Sequence, residues 1–152
     1  MTETEESVVG PYVKSNVCYK EYLMHEYAYE ISQQFKKEAS DIHIPRILGY
    51  EPETQILTLE RVPFMCVSDY YGEKNTDVTP DLFAKVRTLI RFLHKHHIIY
   101  PDITGYNFIE EGNGKMWIVD FGHADFQTHT PNAFVERFVS DDEYDFWNPE
   151  FL

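Results

Sequence analysis

Two aspartates and one asparagine in the second half of the chain have the types and spacing of a cation and phosphate site: Asp102, Asn107 and Asp120. Two β-prone runs, 107–110 and 115–119, lie around a Gly-Asn-Gly sequence. Asn-Gly between such runs is a strong hairpin signal, because both residues tolerate positive φ. A hairpin would bring Asn107 and Asp120 together at its open end, with Asp102 just upstream on a loop. Carboxylate and amide oxygens suit a hard cation such as Mg²⁺ together with phosphate, so we predict that chemistry here.

The stretch 97–124, HIIYPDITGYNFIEEGNGKMWIVDFGHA, contains Asp-x-x-x-x-Asn followed by Asp-Phe-Gly. It resembles the catalytic loop and metal-binding motif of the protein-kinase-like superfamily, whose pattern is His-Arg-Asp-x-x-x-x-Asn and then Asp-Phe-Gly. The resemblance implies ATP and Mg²⁺ as cofactors. It also implies that Asp102 orients the attacking hydroxyl or accepts its proton, while Asn107 and Asp120 hold Mg²⁺ on the phosphates.

The same resemblance extends over about residues 12–125 and implies an α+β, two-lobed protein-kinase-like fold. A small β-rich N-lobe with one helix would occupy 8–63, and a reduced helical C-lobe with both motifs would occupy 79–152. A linker at 64–78 would join the lobes, and residues 1–7 would form a disordered tail. A chain of 152 residues, 43% of them hydrophobic, is sufficient to bury such a core.

Residue patterns also predict individual elements of the first half. Short strands are expected at Val8–Val9 and 12–17, on either side of a Gly-Pro turn. The helical spacing of apolar residues and the absence of proline predict a helix over 20–36. The runs 44–50 and 55–62 are expected to form a second hairpin.

The second half is expected to begin with a loop at 66–78 and to continue with a long helix. Thr79 is a suitable N-cap for that helix, and Pro80 fits its first position. An apolar stripe on the helix is expected to face the core, and it comprises Leu82, Val86, Leu89, Ile90 and Leu93. A further short helix is expected around 132–139, and the acidic run 141–145 is expected to be a solvated segment. Packing of Tyr144, Phe146 and Trp147 against the body of the protein is left open as an alternative.

A lysine and a glutamate are expected in the N-lobe on the strength of the kinase resemblance. In that superfamily a strand lysine contacts the α- and β-phosphates and is held by a glutamate on the next helix. Lys14 with Glu26 is the pair that we favour. Lys20 and Glu30 are the alternatives, because the sequence Val-Cys-Tyr-Lys that ends at Lys20 is similar to the family's Val-Ala-Ile-Lys. The sequence leaves this choice open.

The run LTLERV at 57–62 resembles the strand that enters the kinase hinge. The resemblance implies that Leu59 takes the gatekeeper position. It further implies that the carbonyl of Glu60 and the amide of Val62 form hydrogen bonds with the adenine edge of the nucleotide. Both are backbone groups that almost any residue supplies, so the residue types at 60 and 62 give little support to this assignment.

Several departures from the family pattern bear on activity. No Gly-x-Gly-x-x-Gly precedes Lys14, so we expect weaker nucleotide binding or a site completed by another chain. Tyr100-Pro101 replaces His-Arg, which removes the usual charge partner of a phosphorylated activation loop. A short acidic segment follows Asp-Phe-Gly, where a full kinase continues through further helices. Thr104 makes the loop similar to Asp-Leu-Thr-x-x-Asn in the small atypical kinase of the tRNA-threonylcarbamoylation complex.

Charge and hydropathy exclude some classes of partner. The net charge of −13 argues against direct nucleic-acid binding, since such proteins usually present a basic face. No apolar run reaches the roughly 18 residues of a membrane span, and the start MTETEES lacks the apolar segment of a signal peptide. We therefore expect no membrane association and a cytoplasmic location, with Cys18 and Cys66 reduced.

The function that we favour from the sequence is a minimal ATP- and Mg²⁺-dependent phosphotransferase, with Ser/Thr protein kinase-like activity on a protein or small hydroxyl substrate. The alternative is a kinase-fold binding module or decoy, weak or inactive as a catalyst, that regulates another kinase. A third version is an enzyme that works only as a homodimer or with a partner protein. Apolar surface for that contact is expected at Phe134, Phe138, Phe146 and Trp147.

Overall fold

The computed structural model describes residues 10–112, 114–126 and 132–152. The expected tail at 1–7 and the expected strand at Val8–Val9 lie outside these residues. None of the helices in the described part of the chain has both the length and the apolar character that a bilayer-spanning segment needs.

From residue 10 onwards, the first half of the fold contains four strands and one long helix. In chain order these are β1 (Tyr12–Lys14), α1 (Tyr19–Gln34), β2 (Ile42–His43), β3 (Ile47–Glu51) and β4 (Ile56–Leu59). An antiparallel sheet has the strand order β1-β4-β3. The predicted hairpin of 44–50 with 55–62 is therefore confirmed, with shorter strands than expected.

The single long helix of the first half is close to the prediction. Helix α1 begins one residue before the predicted range of 20–36 and ends two residues before its end, and it buries Met24, Ala28 and Ile31 against the core. The first strand, expected over 12–17, ends at Lys14. Asn16 has a φ of 61°, a left-handed conformation that interrupts extended backbone there.

The segment expected to be a loop at 66–78 contains helical structure, so that prediction is wrong. Helix α2 spans Val67–Tyr71, and a 3₁₀ turn spans Asn75–Asp77. Val67 is buried in the main core, and the backbone amide of Ser68 donates to the carbonyl of Gly105 at 3.0 Å. This short helix is stabilised by tertiary contacts, which a local sequence pattern of five residues does not reveal.

The long helix of the second half, α3, spans Pro80–Lys95 and has the predicted start. The hydroxyl oxygen of Thr79 accepts a hydrogen bond from the amide of Leu82 at 3.3 Å, which satisfies one of the free N–H groups at the helix end. Pro80 occupies the first helical position. The predicted apolar stripe of α3 is buried along its whole length.

The remaining elements are β5 (Ile98–Ile99), β6 (Phe108–Glu110), β7 (Met116–Ile118), β8 (Asp125–Phe126) and α4 (Ala133–Ser140), followed by a C-terminal 3₁₀ turn. Strands β6 and β7 pair antiparallel, which confirms the hairpin predicted from the Asn-Gly signal. Helix α4 confirms the short helix expected around 132–139. Strand β5 pairs antiparallel with β8.

One strand of the first half pairs with a strand of the second half. Strand β2, from the first half, pairs in parallel with β7 of the later hairpin, so that Ile42 lies opposite Met116. The resulting sheet has the order β2-β7-β6. Its buried residues join one large hydrophobic cluster with α1 and α3, whereas a small second cluster of Val17, Leu57 and Leu59 lies under the first sheet.

The aromatic surface expected near the C-terminus is mostly core, so that expectation is wrong. Phe138 and Trp147 are buried, and Phe134 packs against the same cluster. Trp147 lies 4.5 Å, ring centre to ring centre, from Phe83 of α3. Phe146 is half exposed. These rings cover the apolar face of α3 and leave little of the expected contact surface.

The acidic run at 141–145 is bound to α3 and is not simply solvated. Arg87 of α3 is 2% exposed, and its guanidinium donates to the carbonyls of Phe138, Asp142 and Tyr144 at 2.7, 3.1 and 2.9 Å. It also forms an ion pair with Asp145 at 3.1 Å. A planar guanidinium has five N–H donors in fixed directions, so one side chain can donate hydrogen bonds to several backbone carbonyls of the same segment.

We predict that Arg87→Met lowers the free energy of unfolding by about 3 kcal/mol, because it leaves buried carbonyls and a carboxylate without their donor. Arg91→Met is the matched control on the same helix. Arg91 binds Asp142 and the carbonyl of Val139 but is exposed, so its loss should cost less than about 1 kcal/mol. Urea unfolding of both variants measures the difference, and equal losses would contradict this account of the C-terminal segment.

Candidate active site

The catalytic-loop residues lie between β5 and β6 on a tightly turned segment. The amide of Ile103 donates to the carbonyl of Pro101 at 2.7 Å, and the amide of Asn107 donates to the carbonyl of Thr104 at 3.1 Å. The amide of Val119 donates to the carbonyl of Asn107 at 3.1 Å. The two open ends of the hairpin therefore meet beside this loop, as the Asn-Gly signal predicts.

Asn107 and Asp120 are brought to one cleft, where the side-chain amide of Asn107 has a fixed orientation. Its Nδ2 donates to the backbone carbonyl of Asp102 at 2.9 Å, and the residue is nearly buried. The remaining acceptor of that side chain is its carbonyl oxygen, Oδ1. Oδ1 of Asp120 accepts from the amide of Gly122 at 2.8 Å, which holds the carboxylate at the turn.

Lys14 is the lysine at the site, and its glutamate partner is Glu21. The predicted pairing of Lys14 with Glu26 is wrong, since the ammonium group of Lys14 binds the carboxylate of Glu21 and lies 3.2 Å from Asp120. Glu26 instead accepts a hydrogen bond from the hydroxyl of Tyr22 at 2.9 Å. The alternative lysine, Lys20, pairs with Asp125 at 2.8 Å.

The two carboxylates around Lys14 decide its protonation. Burial lowers the pKa of Lys14, but the hydrogen bond with Glu21 and the charge of Asp120 outweigh burial and raise the pKa above its usual value. The ammonium form is therefore held between helix α1 and the Asp-Phe-Gly turn. The second alternative glutamate, Glu30, is exposed further along α1.

The cleft itself has a volume of about 320 Å³. Lys14, Asn107 and Asp120 are among the polar residues that line it, and Arg61 is another. The predicted hinge residues also line it, namely Leu59, Glu60 and Val62. Among the backbone hydrogen bonds of the described residues, none uses the carbonyl of Glu60 or the amide of Val62. The space and these two backbone groups fit a planar, edge-bonding ligand of nucleotide size.

The donor set of the site fits Mg²⁺ only in part. Asp120 and Asn107 supply hard oxygen ligands of the kind that Mg²⁺ prefers, and no group of three or more His, Cys, Asp or Glu side chains suited to a metal occurs within residues 10–112, 114–126 and 132–152. Mg²⁺ commonly binds through one or two protein oxygens plus phosphates and water. A magnesium ion here would therefore depend on a bound phosphate for its remaining ligands.

Asp102 does not line the cleft. Its side chain is 14% exposed, and its Oδ2 is 3.1 Å from Nδ1 of His123. His123 directly follows Asp-Phe-Gly, a position to which the sequence patterns gave no role. The resemblance assigns Asp102 a role with the attacking hydroxyl, and the structure shows it paired with an imidazole.

Two buried aromatic side chains that sequence reasoning missed hold the Asp-Phe-Gly turn in place. The hydroxyl of Tyr100 donates to the backbone carbonyl of Asp120, and its ring packs edge-on at 5.6 Å from that of Phe121. Burial raises the pKa of the Tyr100 hydroxyl well above its usual value. His25 of α1 packs on the other side of Phe121, with ring centres 4.9 Å apart. For Tyr100, the sequence did contain an indication, because Tyr100 replaces the His of the His-Arg-Asp pattern.

His25 is held neutral by its surroundings. Burial lowers the pKa of His25 to about 4, although its hydrogen bond with the carbonyl of Pro45, at 2.7 Å, acts in the opposite direction. An unfolded chain with an ordinary histidine pKa binds a proton at higher pH than the folded one. Stability from neutral His25 is therefore present above about pH 6.5 and is lost as the pH falls towards 4.

The C-terminal segment contacts the catalytic loop from behind. Nδ2 of Asn148 donates to the carbonyl of Pro101 at 2.8 Å, and its backbone amide donates to the carbonyl of Ile103 at 2.8 Å. Asn148 is buried. These two bonds flank Asp102 in the sequence, so they restrict where its backbone can move.

We predict that His25→Gln makes the protein less sensitive to acid, because glutamine can donate to Pro45 but does not titrate. The wild-type free energy of unfolding should fall between pH 6.5 and 4 by up to about 3 kcal/mol more than that of the variant. His97→Asn, at an exposed left-handed position, is the matched control. Urea unfolding across this pH range measures the difference, and parallel curves for wild type and His25→Gln would contradict the assignment.

Comparisons with known proteins agree with this geometry. The structure is similar to that of the Cydia pomonella granulovirus kinase PK-1, with a TM-score of 0.53, 12% sequence identity and coverage of 75% of this chain and 42% of that kinase. At this identity the likeness concerns the fold, and the protein-kinase-like, α+β architecture expected from the sequence is confirmed.

Sequence comparison gives the family. No curated protein matches the chain in sequence. The specific similarity to the kinase of the tRNA-threonylcarbamoylation complex is not confirmed and stays a prediction. The sequence profile of the ABC1 atypical kinase-like domain matches residues 24–141, which include the catalytic loop and the Asp-Phe-Gly turn. The chain belongs to the ABC1 atypical kinase-like domain family and has the fold of the protein-kinase-like superfamily.

Proposed function

We propose that the chain is an ATP- and Mg²⁺-dependent phosphotransferase that transfers the γ-phosphoryl group to a hydroxyl of a protein or a small molecule. The observation that carries the proposal is the convergence of Lys14, Asn107 and Asp120 on one cleft. These residues come from β1, the end of the catalytic loop and the Asp-Phe-Gly turn. A cation and two oxygen ligands at one cleft match what phosphoryl transfer requires of a protein, which is mostly positioning and electrostatics.

The proposed orientation of the nucleotide follows from the two sides of the cleft. The adenine edge lies against the backbone of Glu60 and Val62, with Leu59 at its back, and the phosphates lie towards Lys14. The ammonium group of Lys14 neutralises charge on the phosphates that are not transferred. Glu21 keeps that ammonium in position, since it binds Lys14 from helix α1.

Asn107 and Asp120 would hold the metal in this proposal. Bound Mg²⁺ would neutralise the charge that develops on the phosphate oxygens. Asp120 is already fixed by Gly122, and Asn107 by Asp102, so neither side chain needs to be ordered on binding. Asp102, which does not line the cleft and is paired with His123, is assigned the orientation of the acceptor hydroxyl.

The alternative, a kinase-fold binding module, is favoured by contacts that the site residues make within the chain. Lys14 is paired with Asp120 as well as Glu21, and Asp102 is paired with His123. A nucleotide must compete with the first contact and an acceptor with the second. In this alternative the cleft binds a nucleotide without transferring phosphate, and the fold serves to contact another protein.

We predict that the purified protein forms ADP from ATP in the presence of Mg²⁺, and that Asp102→Asn slows this turnover by about 10²-fold or more. Asp120→Asn should also reduce turnover, through loss of a charged oxygen from the metal site. Glu53→Gln, an acidic residue exposed in the β3–β4 turn, is the matched control and should retain the wild-type rate. Equal rates for wild type and Asp102→Asn would contradict the proposed role of Asp102.

Binding measured without turnover separates the two functions. We predict that Mg²⁺ and ATP together stabilise the protein against unfolding, by about 2.7 kcal/mol when ATP is at 100 times its Kd. Lys14→Met should weaken ATP binding by roughly tenfold or more, since it removes a charge-assisted contact. Stabilisation by ATP with no ADP formed would favour the binding module, and no stabilisation in wild type would overturn the nucleotide site itself.

A further inference from the structure

The pair of Asp102 and His123 has the arrangement of a carboxylate that orients an imidazole. Nδ1 of His123 lies 3.1 Å from Oδ2 of Asp102. A carboxylate oxygen accepts hydrogen bonds, so Nδ1 carries the proton in this contact and Nε2 keeps its lone pair. Within the described residues, no hydrogen bond uses Nε2 of His123.

Exposure distinguishes the two members of the pair as proton acceptors. The Asp102 side chain is 14% exposed, whereas that of His123 is 60% exposed. A hydroxyl group that approaches from solvent therefore reaches the imidazole more readily than the carboxylate. A buried carboxylate behind an exposed imidazole is the order of groups that selects one tautomer of a histidine base.

The imidazole is held from a second side. The ring of Phe151, in the C-terminal 3₁₀ turn, lies 4.9 Å from that of His123, centre to centre. The same C-terminal segment binds the backbone of the catalytic loop through Asn148. The position of His123 relative to Asp102 is thus fixed by contacts from both the loop and the C-terminal segment.

We propose that His123 is the general base of the phosphotransfer reaction and that Asp102 is its positioning partner. This inference rests on the proposed function and refines it, because the hydroxyl proton goes to the imidazole and not to the carboxylate. It also gives a chemical reason for a histidine directly after Asp-Phe-Gly in this chain.

The proposed step balances as follows. The oxygen of the acceptor hydroxyl forms a bond with the γ-phosphorus of ATP, and the bond from that phosphorus to the β,γ-bridging oxygen breaks. The electron pair of the broken bond leaves with ADP. The hydroxyl proton passes to Nε2 of His123, and the imidazolium donates through Nδ1 to Asp102. His123 then returns the proton to water.

Several carboxylates belong to the segments around the imidazole. Asp102 is its hydrogen-bond partner, Asp120 and Asp125 lie three residues before and two residues after His123 in the sequence, and Glu150 precedes Phe151 in the C-terminal turn. Two of these carboxylates are paired elsewhere, Asp120 with Lys14 and Asp125 with Lys20. Asp102 is therefore the carboxylate in direct hydrogen-bond contact with the ring.

The test is the pH dependence of Mg²⁺-dependent ADP formation by the full chain, with water as the acceptor. For wild type we expect the rate to fall as the pH decreases, since a base must be unprotonated. His123→Gln should be about 10²-fold slower and should lack this acid limb. In His123→Ala, added imidazole should restore part of the rate, and it should not accelerate wild type. His97→Asn is the control for an exposed histidine outside the site.

The outcomes separate this inference from the proposed function. Turnover by His123→Gln at the wild-type rate, or with the acid limb retained, would overturn the base role while the phosphotransferase stands. No turnover by wild type would overturn both. Imidazole nitrogen chemical shifts from NMR report on the pair without any need for activity. We expect the Nδ1-protonated tautomer of His123 in wild type and the Nε2-protonated one in Asp102→Ala, and the latter tautomer in wild type would overturn the pairing.

Discussion

The packing of Phe121 between His25 and Tyr100 is the contact on which the candidate site depends. Phe121 is fully buried, and its two neighbours come from α1 and from the start of the catalytic loop. The backbone on its N-terminal side is bound by the Tyr100 hydroxyl. Since Asp120 is joined directly to Phe121, the hydrophobic contact and the hydrogen bond hold its carboxylate at the cleft in addition to its ion pair with Lys14. Helix α1 and the turn must therefore move together, which also fixes Glu21 relative to Asp120.

The charges around the cleft affect which ligands it can bind. The chain has a net charge of −13, and a nucleotide triphosphate is strongly negative, so general attraction does not favour binding. Lys14 lines the cleft, as does Arg61, and it is paired with the carboxylates of Glu21 and Asp120. Its two carboxylate neighbours keep it protonated but also occupy it. A divalent cation on Asp120 would relieve that competition, because the carboxylate would then serve the metal while Glu21 retains Lys14. Under the proposed function, metal binding and nucleotide binding would therefore each favour the other.

Part of this arrangement follows from sequence patterns, and part depends on tertiary geometry. The hairpin of β6 and β7 was predictable because Asn-Gly specifies a turn locally, and the start of α3 because Thr79 and Pro80 act within one helical turn. The partner of Lys14 was not predictable, because Glu21 and Glu26 both lie on α1. The rotation of that helix against β1 determines which of the two reaches Lys14. The helix at Val67–Tyr71 escaped prediction for a related reason, as its stability comes from contacts with the distant Gly105. His25 carries no local signal at all.

The C-terminal segment was the least predictable part, and it gives the catalytic loop its rigidity. An acidic, aromatic sequence is compatible with a solvated tail, but here Arg87 fastens its backbone to α3, and Trp147 fills the core beside Phe83. Asn148 can then bind the loop on both sides of Asp102. Because the buried guanidinium satisfies carbonyls that would otherwise lie unpaired against the helix, the segment cannot leave without exposing them and the aromatic core together. The position of Asp102 is thus coupled to the packing of α3, although no residue of that helix lines the cleft.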